Sequence, residues 1–76
     1  MTTVEQHLAE SLKGLRQHNG LSQIDASVAL GVMQPTISRW ESGLSRPDLT
    51  MLVKIADLYK VSVDDMLGRR AAAKGR

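Results

Sequence analysis

Apolar residues recur at helical spacing near the start of the chain, with polar and charged residues between them: Val4, Leu8, Leu12 and Leu15. Thr3 and Gln6 have the spacing of a capping box, in which each side chain accepts a bond from the other residue's backbone N–H. Asn19-Gly20 supplies a stop, because glycine accepts the left-handed backbone found after helix ends. The pattern predicts a helix over residues 4–18 with one apolar face.

Four more helical segments are predicted downstream. Ser22 and Asp25 form a second capping box before residues 23–30, and a third helix is predicted over residues 33–42. A glycine directly follows each of these two segments. After a loop, Asp48 has the position of an N-cap, and the apolar stripe behind it consists of Leu49, Leu52, Ile55, Ala56 and Tyr59.

A third capping box, made by Ser62 and Asp65, predicts a last short helix through Leu67. Apart from a trace at residues 61–63, no segment alternates as a strand does. The prediction is therefore an all-α fold, a compact five-helix bundle containing a helix-turn-helix. We expect one domain over residues 1–67 and a flexible basic tail over residues 68–76.

Composition narrows the class of protein. The chain has 76 residues and no cysteine, so disulfides and thiolate metal sites are excluded. No apolar run approaches the ~20 residues of a membrane span. The N-terminus lacks the basic and apolar regions of a secretory signal, and a cytoplasmic protein is expected.

The formal net charge of +2 is unevenly distributed. Residues 68–76 carry four basic side chains and no acid, whereas residues 1–67 carry six basic and eight acidic side chains, a net charge of −2. A nucleic-acid function must therefore rest on where the charges lie, because the folded body is not a polycation.

The segment G-V-M-Q-P-T-I-S-R-W-E-S-G, residues 31–43, has the sequence pattern of the second half of a helix-turn-helix. The tight turn at Gly31-Val32 makes the two helices cross steeply, and Ile37 and Trp40 anchor the second helix to the core. Its first turn is then expected to protrude, offering free N–H groups. Pro35 is tolerated there and stiffens that turn, because the first turn needs no N–H from it.

Four blocks in this order resemble the phage repressor/Cro (XRE-type) family of helix-turn-helix domains: L-R-Q-H-N-G-L-S-Q, L-G-V-x-Q-P-T-I-S-R-W-E-S-G, R-P-D-L-x-x-L-x-K-I-A and V-S-V-D-D-M-L. The resemblance covers about residues 5–67. It implies a five-helix domain that docks its third helix in the DNA major groove, usually as a dimer.

The resemblance also implies residue roles. Base-facing positions fall on Gln34, Pro35 and Arg39, flanked by Thr36 and Ser38. Gln23 matches a glutamine that contacts phosphate and braces the recognition helix, and Arg16 and Glu41 match a buried ion pair. The sequence departs from the family at Met33, where a Ser or Thr N-cap is usual, and at Ile24 and Val28, where charged residues are common.

Each residue also has a simpler interpretation. Gln34 and Thr36 can be solvated surface residues, although a glutamine can pair with adenine N6 and N7. Pro35 can contact a base only through apolar atoms. Arg39 can read guanine, hold a phosphate or pair with a nearby acid, and Arg46 in the following loop is expected to contact phosphate.

Two apolar groups leave alternatives open. Ile24 and Val28 either pack inward to compensate for the small Ala26 and Ser27, or form a patch for a protein partner. Partial exposure is expected for a group that could belong to a dimer interface: Leu44, Leu58, Val63 and Met66. The basic tail can add nonspecific phosphate contacts or remain solvated.

Enzymatic and metal functions are not indicated. The sequence has no Gly-rich phosphate loop, nucleophile–base pair or carboxylate dyad, and His7 and His18 lack further ligands at metal spacing. Trp40 is expected in the core. We predict no metal and no cofactor.

The predicted function is sequence-specific binding of double-stranded DNA by a transcription regulator. A repressor is expected, acting as a homodimer on a palindromic operator with half-sites about 34 Å apart. The alternatives are an antitoxin-like or other protein-binding module with the same fold, and the DNA-binding fragment of a longer regulator.

Overall fold

The computed structural model describes residues 3–69, which form five helices. Residues 70–76 of the predicted basic tail lie outside the described residues. They are α1 (Val4–His18), α2 (Gln23–Leu30), α3 (Gln34–Ser42), α4 (Leu49–Tyr59) and α5 (Val63–Leu67). None of these helices is long and apolar enough to cross a lipid bilayer. The predicted all-α class is confirmed, and the described part of the chain contains no strand.

Local capping explains most helix boundaries. Both reciprocal bonds of the capping box form at the starts of α1 and α2, through Thr3 with Gln6 and Ser22 with Asp25. The third predicted box is only half correct, because Ser62 accepts the backbone N–H of Asp65 but the described residues contain no reciprocal bond. A capping box needs both bonds, so Ser62 caps α5 in the simpler way.

Helix α3 begins one residue later than predicted. Met33 has the extended backbone of an N-cap, and no side-chain bond caps the helix there. Pro35 lies in the first turn, where its missing N–H costs no intrahelical bond. The helix ends at Gly43, whose φ of +82° is the left-handed conformation that favours glycine.

The core is an aliphatic cluster around Trp40 and Tyr59, as expected for a chain with only two aromatic residues. Its buried members are Leu8, Leu12, Ala26, Leu30, Ile37, Trp40, Ile55, Ala56, Tyr59 and Met66. Helix α1 packs against α3 and α5, while α2 packs against α3 and α4. This arrangement holds α3 from two sides.

Three expectations about burial are wrong. Val4, the first residue of α1 and of its predicted apolar face, is 50% exposed. Leu49, assigned to the apolar stripe of α4, is 74% exposed. It is the first residue of α4, so it lies beyond the end of the packed face. Met66, expected to be partly exposed, is completely buried, because α5 packs across α1 and closes the core there.

Candidate nucleic-acid interface

The turn between α2 and α3 is fixed by Gly31, which adopts φ +72° and ψ +30°. The backbone N–H of Val32 donates to the carbonyl of Ser27 at 3.0 Å, which completes the left-handed helix ending. Val32 also packs against the core. These contacts leave two residues between the end of α2 and the N-cap of α3, so the direction of α3 is set by a short, bonded turn.

Helix α3 has one buried side and one solvent-accessible side. Ile37 and Trp40 are buried in the core. The other side, here called the recognition face, consists of Gln34, Pro35, Thr36, Ser38 and Arg39. Pro35 and Arg39 are exposed, and the other three residues are half-buried. Trp40 therefore lies in the core, as expected, and the five candidate contact residues remain accessible.

A chain of side-chain hydrogen bonds runs from the core to the recognition face. Gln34 Nε2 donates to Gln23 Oε1 at 2.6 Å, and Gln23 Nε2 donates to Glu41 Oε1 at 3.2 Å. Because both ends of the Gln23 amide are occupied, its orientation is determined. Gln34, the first residue of α3, is in turn oriented by its bond to Gln23, which lowers the entropy lost when such a side chain binds a ligand.

The chain of bonds ends in a buried ion pair. Arg16 Nε and Nη2 donate to the Glu41 carboxylate at 2.6 and 3.0 Å, and Arg16 Nη1 donates to the carbonyl of Leu21 at 2.8 Å. The two side chains are only 10% and 5% exposed. The hydrogen bond to Glu41 raises the pKa of Arg16 although burial opposes this shift, so the guanidinium stays charged.

Burial also affects the neighbouring phenol. Desolvation raises the pKa of Tyr59, and the negative charge of Glu41 raises it further. Tyr59 is therefore neutral across the physiological range. Its aromatic ring belongs to the core.

A polar groove lies beside this network and is lined by Lys13, Gln23, Ser38, Glu41 and Ser42. These residues come from α1, α2 and α3. Lys13 was not among the predicted contact residues, although it lines the same groove as Gln23. Its position on α1 carries no sequence signal for DNA binding, because the groove is formed only when three helices meet.

Arg46 is placed apart from the recognition face, in the loop that follows α3. Its Nη1 lies 2.9 Å from Glu5 Oε2, and both side chains are more than half exposed, at 62% and 56%. Sequence reasoning found Arg46 but missed its partner, since the two residues are 41 positions apart. No local pattern could connect them.

The structure decides whether Ile24 and Val28 pack inward or lie on the surface. They are 64% and 77% exposed, so the idea that they pack inward is wrong. The buried side of α2 consists of Ala26, Ser27 and Leu30. The small Ala26 and Ser27 allow α2 to approach its neighbours, and Ile24 and Val28 point to solvent on the opposite side.

Comparison with known proteins identifies the architecture. A family model described as "Helix-turn-helix" matches residues 12–66, which is most of the chain. The chain belongs to the helix-turn-helix family. The resemblance to XRE-type regulators is thereby confirmed. The matched region includes both helices of the motif and the recognition face.

Individual relatives agree with this assignment. The chain is 34% identical over 67 residues to the HTH-type transcriptional regulator ImmR of Bacillus subtilis, covering 88% of this chain and 53% of ImmR. It is 31% identical over 64 residues to the cryptic phage CTXphi transcriptional repressor RstR of Vibrio cholerae, covering 84% of this chain and 57% of RstR.

Two further matches are an antitoxin and a solved structure of a transcriptional regulator. Antitoxin HigA1 of Mycobacterium tuberculosis is 41% identical over 49 residues, covering 64% of this chain and 33% of that protein. A crystal structure of a transcriptional regulator from Listeria innocua has a TM-score of 0.77 and 26% identity, covering 91% of this chain and 64% of that one. The chain spans about half the length of the first two regulators.

Proposed function

We propose that this protein is a transcription regulator that binds double-stranded DNA by docking α3 in the major groove. The observation that carries the proposal is the recognition face, whose Gln34 is held in place by Gln23 beside an uncapped helix N-terminus. The N–H groups expected in this turn are mostly not free, because Pro35 has none and the N–H of Thr36 donates to the carbonyl of Met33 at 3.0 Å. The positive end of the helix dipole still favours phosphates and electron-rich base edges. An α-helix also fits the width of the major groove.

The residues divide into specifying and positioning groups. Gln34 and Arg39 read base edges, since amide and guanidinium groups pair bidentately with adenine and guanine. Pro35, Thr36 and Ser38 make the neighbouring contacts with bases and sugar–phosphate. Gln23 and Arg46 bind phosphate and set the register of the helix on the duplex, while Arg16 and Glu41 only hold the fold together.

The regulator acts as a homodimer on a palindromic operator, with half-sites about one helical turn apart. Two-fold symmetry in the protein calls for the same symmetry in the DNA. Occupation of such a site blocks polymerase, so repression is the simplest mechanism. The relatives named as phage repressor and transcriptional regulator support this role.

The test is a binding selection from random duplexes with the wild type and the double variant Gln34→Ala/Arg39→Ala. We expect the wild type to enrich one inverted repeat and the double variant to lose that preference. Lys54→Ala is the matched control, because it removes one exposed cation from α4 without touching the recognition face. If the control loses the preference as well, net charge and not base recognition explains the result.

A second function is favoured by the exposed apolar side of α2. Ile24 and Val28 are one helical turn apart and point to solvent, where charged residues are expected on a surface helix. In a protein-binding module of the antitoxin kind, this side would contact a partner protein. The relative named as an antitoxin supports this alternative.

The two functions are distinguished by the variant Ile24→Ser/Val28→Ser. If the chain is chiefly a DNA-binding regulator, this variant keeps the DNA preference of the wild type. If it is a protein-binding module, the wild type enriches no duplex, co-purifies with a second small protein in fixed ratio, and loses that protein in the variant.

A further inference from the structure

The cations near α3 are few, so each one matters for binding a polyanion. Arg39 on α3 and Arg46 in the following loop are the exposed basic residues between positions 34 and 48. Arg16 is not available to phosphate, because it forms the buried ion pair with Glu41. Since residues 1–67 carry a net charge of −2, attraction of phosphate to this side of the molecule depends on the two exposed arginines and on Lys13, which lines the groove beside α3.

One of the two exposed arginines is already paired. Arg46 Nη1 lies 2.9 Å from a carboxylate oxygen of Glu5, in the first turn of α1. The pairing follows from the packing of the loop along α1. A Cβ at Gly43 would lie 3.9 Å from the Cβ of Ala9, which is one helical turn beyond Glu5.

The loop itself is held by backbone bonds. The N–H groups of Leu44 and Ser45 both donate to the carbonyl of Arg39, at 3.0 and 3.4 Å. The chain therefore leaves α3 in a defined direction and brings Arg46 back beside α1. Glu5 and Arg46 face each other because of this path.

An exposed ion pair of this kind is easily exchanged. Its two charges are solvated, screened by salt and weakly coupled. A DNA phosphate offers Arg46 a charge-assisted hydrogen bond of at least equal strength. Binding must then separate Arg46 from Glu5 and leave the carboxylate near the polyanion, and both effects oppose binding.

We propose that Glu5 sets the DNA affinity of this protein by competing with phosphate for Arg46. This inference rests on the proposed DNA-binding function. It assigns to Glu5 a role in the interface although Glu5 itself makes no favourable contact with DNA. The wild-type affinity is consequently held below the value that the recognition face and Arg46 alone would provide.

The test is a double-mutant cycle with Glu5→Gln, Arg46→Gln and the combined variant. Binding to a labelled duplex of about 30 base pairs, long enough for two half-sites, is measured by fluorescence anisotropy between about 50 and 200 mM NaCl. The duplex carries the sequence enriched in the selection described above. Glu10→Gln is the matched control, because Glu10 is an exposed glutamate of the same helix that forms no ion pair within the described residues.

We expect Glu5→Gln to bind roughly twofold to fivefold more tightly at low salt, the range corresponding to one exposed ion pair. In the Arg46→Gln background the same change should have little effect. In Glu5→Gln, the slope of log affinity against log salt concentration should steepen by up to about 0.9, the value for one phosphate contact. The reason is that Arg46 no longer has to leave a protein carboxylate before it binds the phosphate. Glu10→Gln should show neither the steepening nor the dependence on Arg46.

The outcomes separate this inference from the proposed function. If the wild type binds and Glu5→Gln has the same effect with and without Arg46, competition for Arg46 is refuted while DNA binding stands. If Glu5→Gln and Glu10→Gln change the DNA affinity equally, competition for Arg46 is also refuted, because the loss of one negative charge then explains both effects. If the wild type binds no duplex, the proposed function fails and this inference fails with it.

Discussion

Substitution of Glu41 by alanine should remove the centre of the polar network. The Glu41 carboxylate accepts bonds from Arg16 Nε at 2.6 Å, Arg16 Nη2 at 3.0 Å and Gln23 Nε2 at 3.2 Å. After Glu41→Ala, Arg16 would keep only its bond to the carbonyl of Leu21. A charged guanidinium that is only 10% exposed would then lack its counter-ion.

The expected loss is large for a domain of this size. Removing one partner of a buried ion pair costs about 3–5 kcal/mol. A 76-residue chain has a total stability of roughly 4–11 kcal/mol at the usual value per residue. Because 1 kcal/mol shifts Tm by about 4–8 °C in small domains, Tm should fall by at least about 12 °C.

The assay is thermal and urea unfolding followed by far-UV circular dichroism and by the fluorescence of Trp40. Replacing both partners, as in Arg16→Met/Glu41→Leu, should recover most of the loss, because no buried charge then remains unpaired. Glu10→Ala is the surface control and should change stability by less than about 0.5 kcal/mol.

Two results would refute this reasoning. If Glu41→Ala melts within about 2 °C of the wild type, less than 0.5 kcal/mol, and yet loses DNA binding, Glu41 acts in the interface and not in the fold. If the apolar double variant is less stable than Glu41→Ala, the cost does not arise from an unpaired charge.

Three further predictions concern single positions. Met33→Ser should supply the missing side-chain cap of α3 and raise stability by about 1 kcal/mol; a thermal melt no higher than that of Met33→Ala would contradict this. Gly68→Ala should destabilise more than Gly43→Ala, although both residues have positive φ, because a Cβ at Gly68 would lie 2.8 Å from the ring of His7 while the nearest atom at Gly43 is 3.9 Å away; equal losses in urea unfolding would show that backbone strain alone decides. Burial raises the pKa of Tyr59, so the folded state holds the phenolic proton more tightly and stability should fall as pH rises past about 10. Tyr59→Phe should show a smaller loss of unfolding free energy between about pH 8 and 10.5; an unchanged alkaline loss would mean that another group is responsible.

Local signals in the sequence were sufficient for most helix boundaries. A capping residue, its partner three positions later and a terminal glycine interact within one turn of chain, so Thr3, Ser22 and Gly31 could be interpreted without the tertiary structure. The same holds for the burial of Ile37 and Trp40, whose spacing placed them on one side of α3. The family assignment also came from the sequence, through the order of its motifs.

Errors arose where burial depends on a neighbouring helix. Leu49 belongs to the periodic stripe of α4 but lies at its first position, beyond the region that other helices cover. Met66 is completely buried because α5 packs against α1. Periodicity describes one helix at a time, so it cannot say where a partner helix begins or ends.

The amino-acid sequence by itself determined the five helices and the turn at Gly31, because each depends on interactions between residues close in the chain. Only the tertiary structure connected Gln34 through Gln23 to Glu41 and placed Glu5 beside Arg46. These pairs are 11, 18 and 41 positions apart. Contacts over such separations depend on how whole helices pack, and no pattern within a single helix specifies that packing.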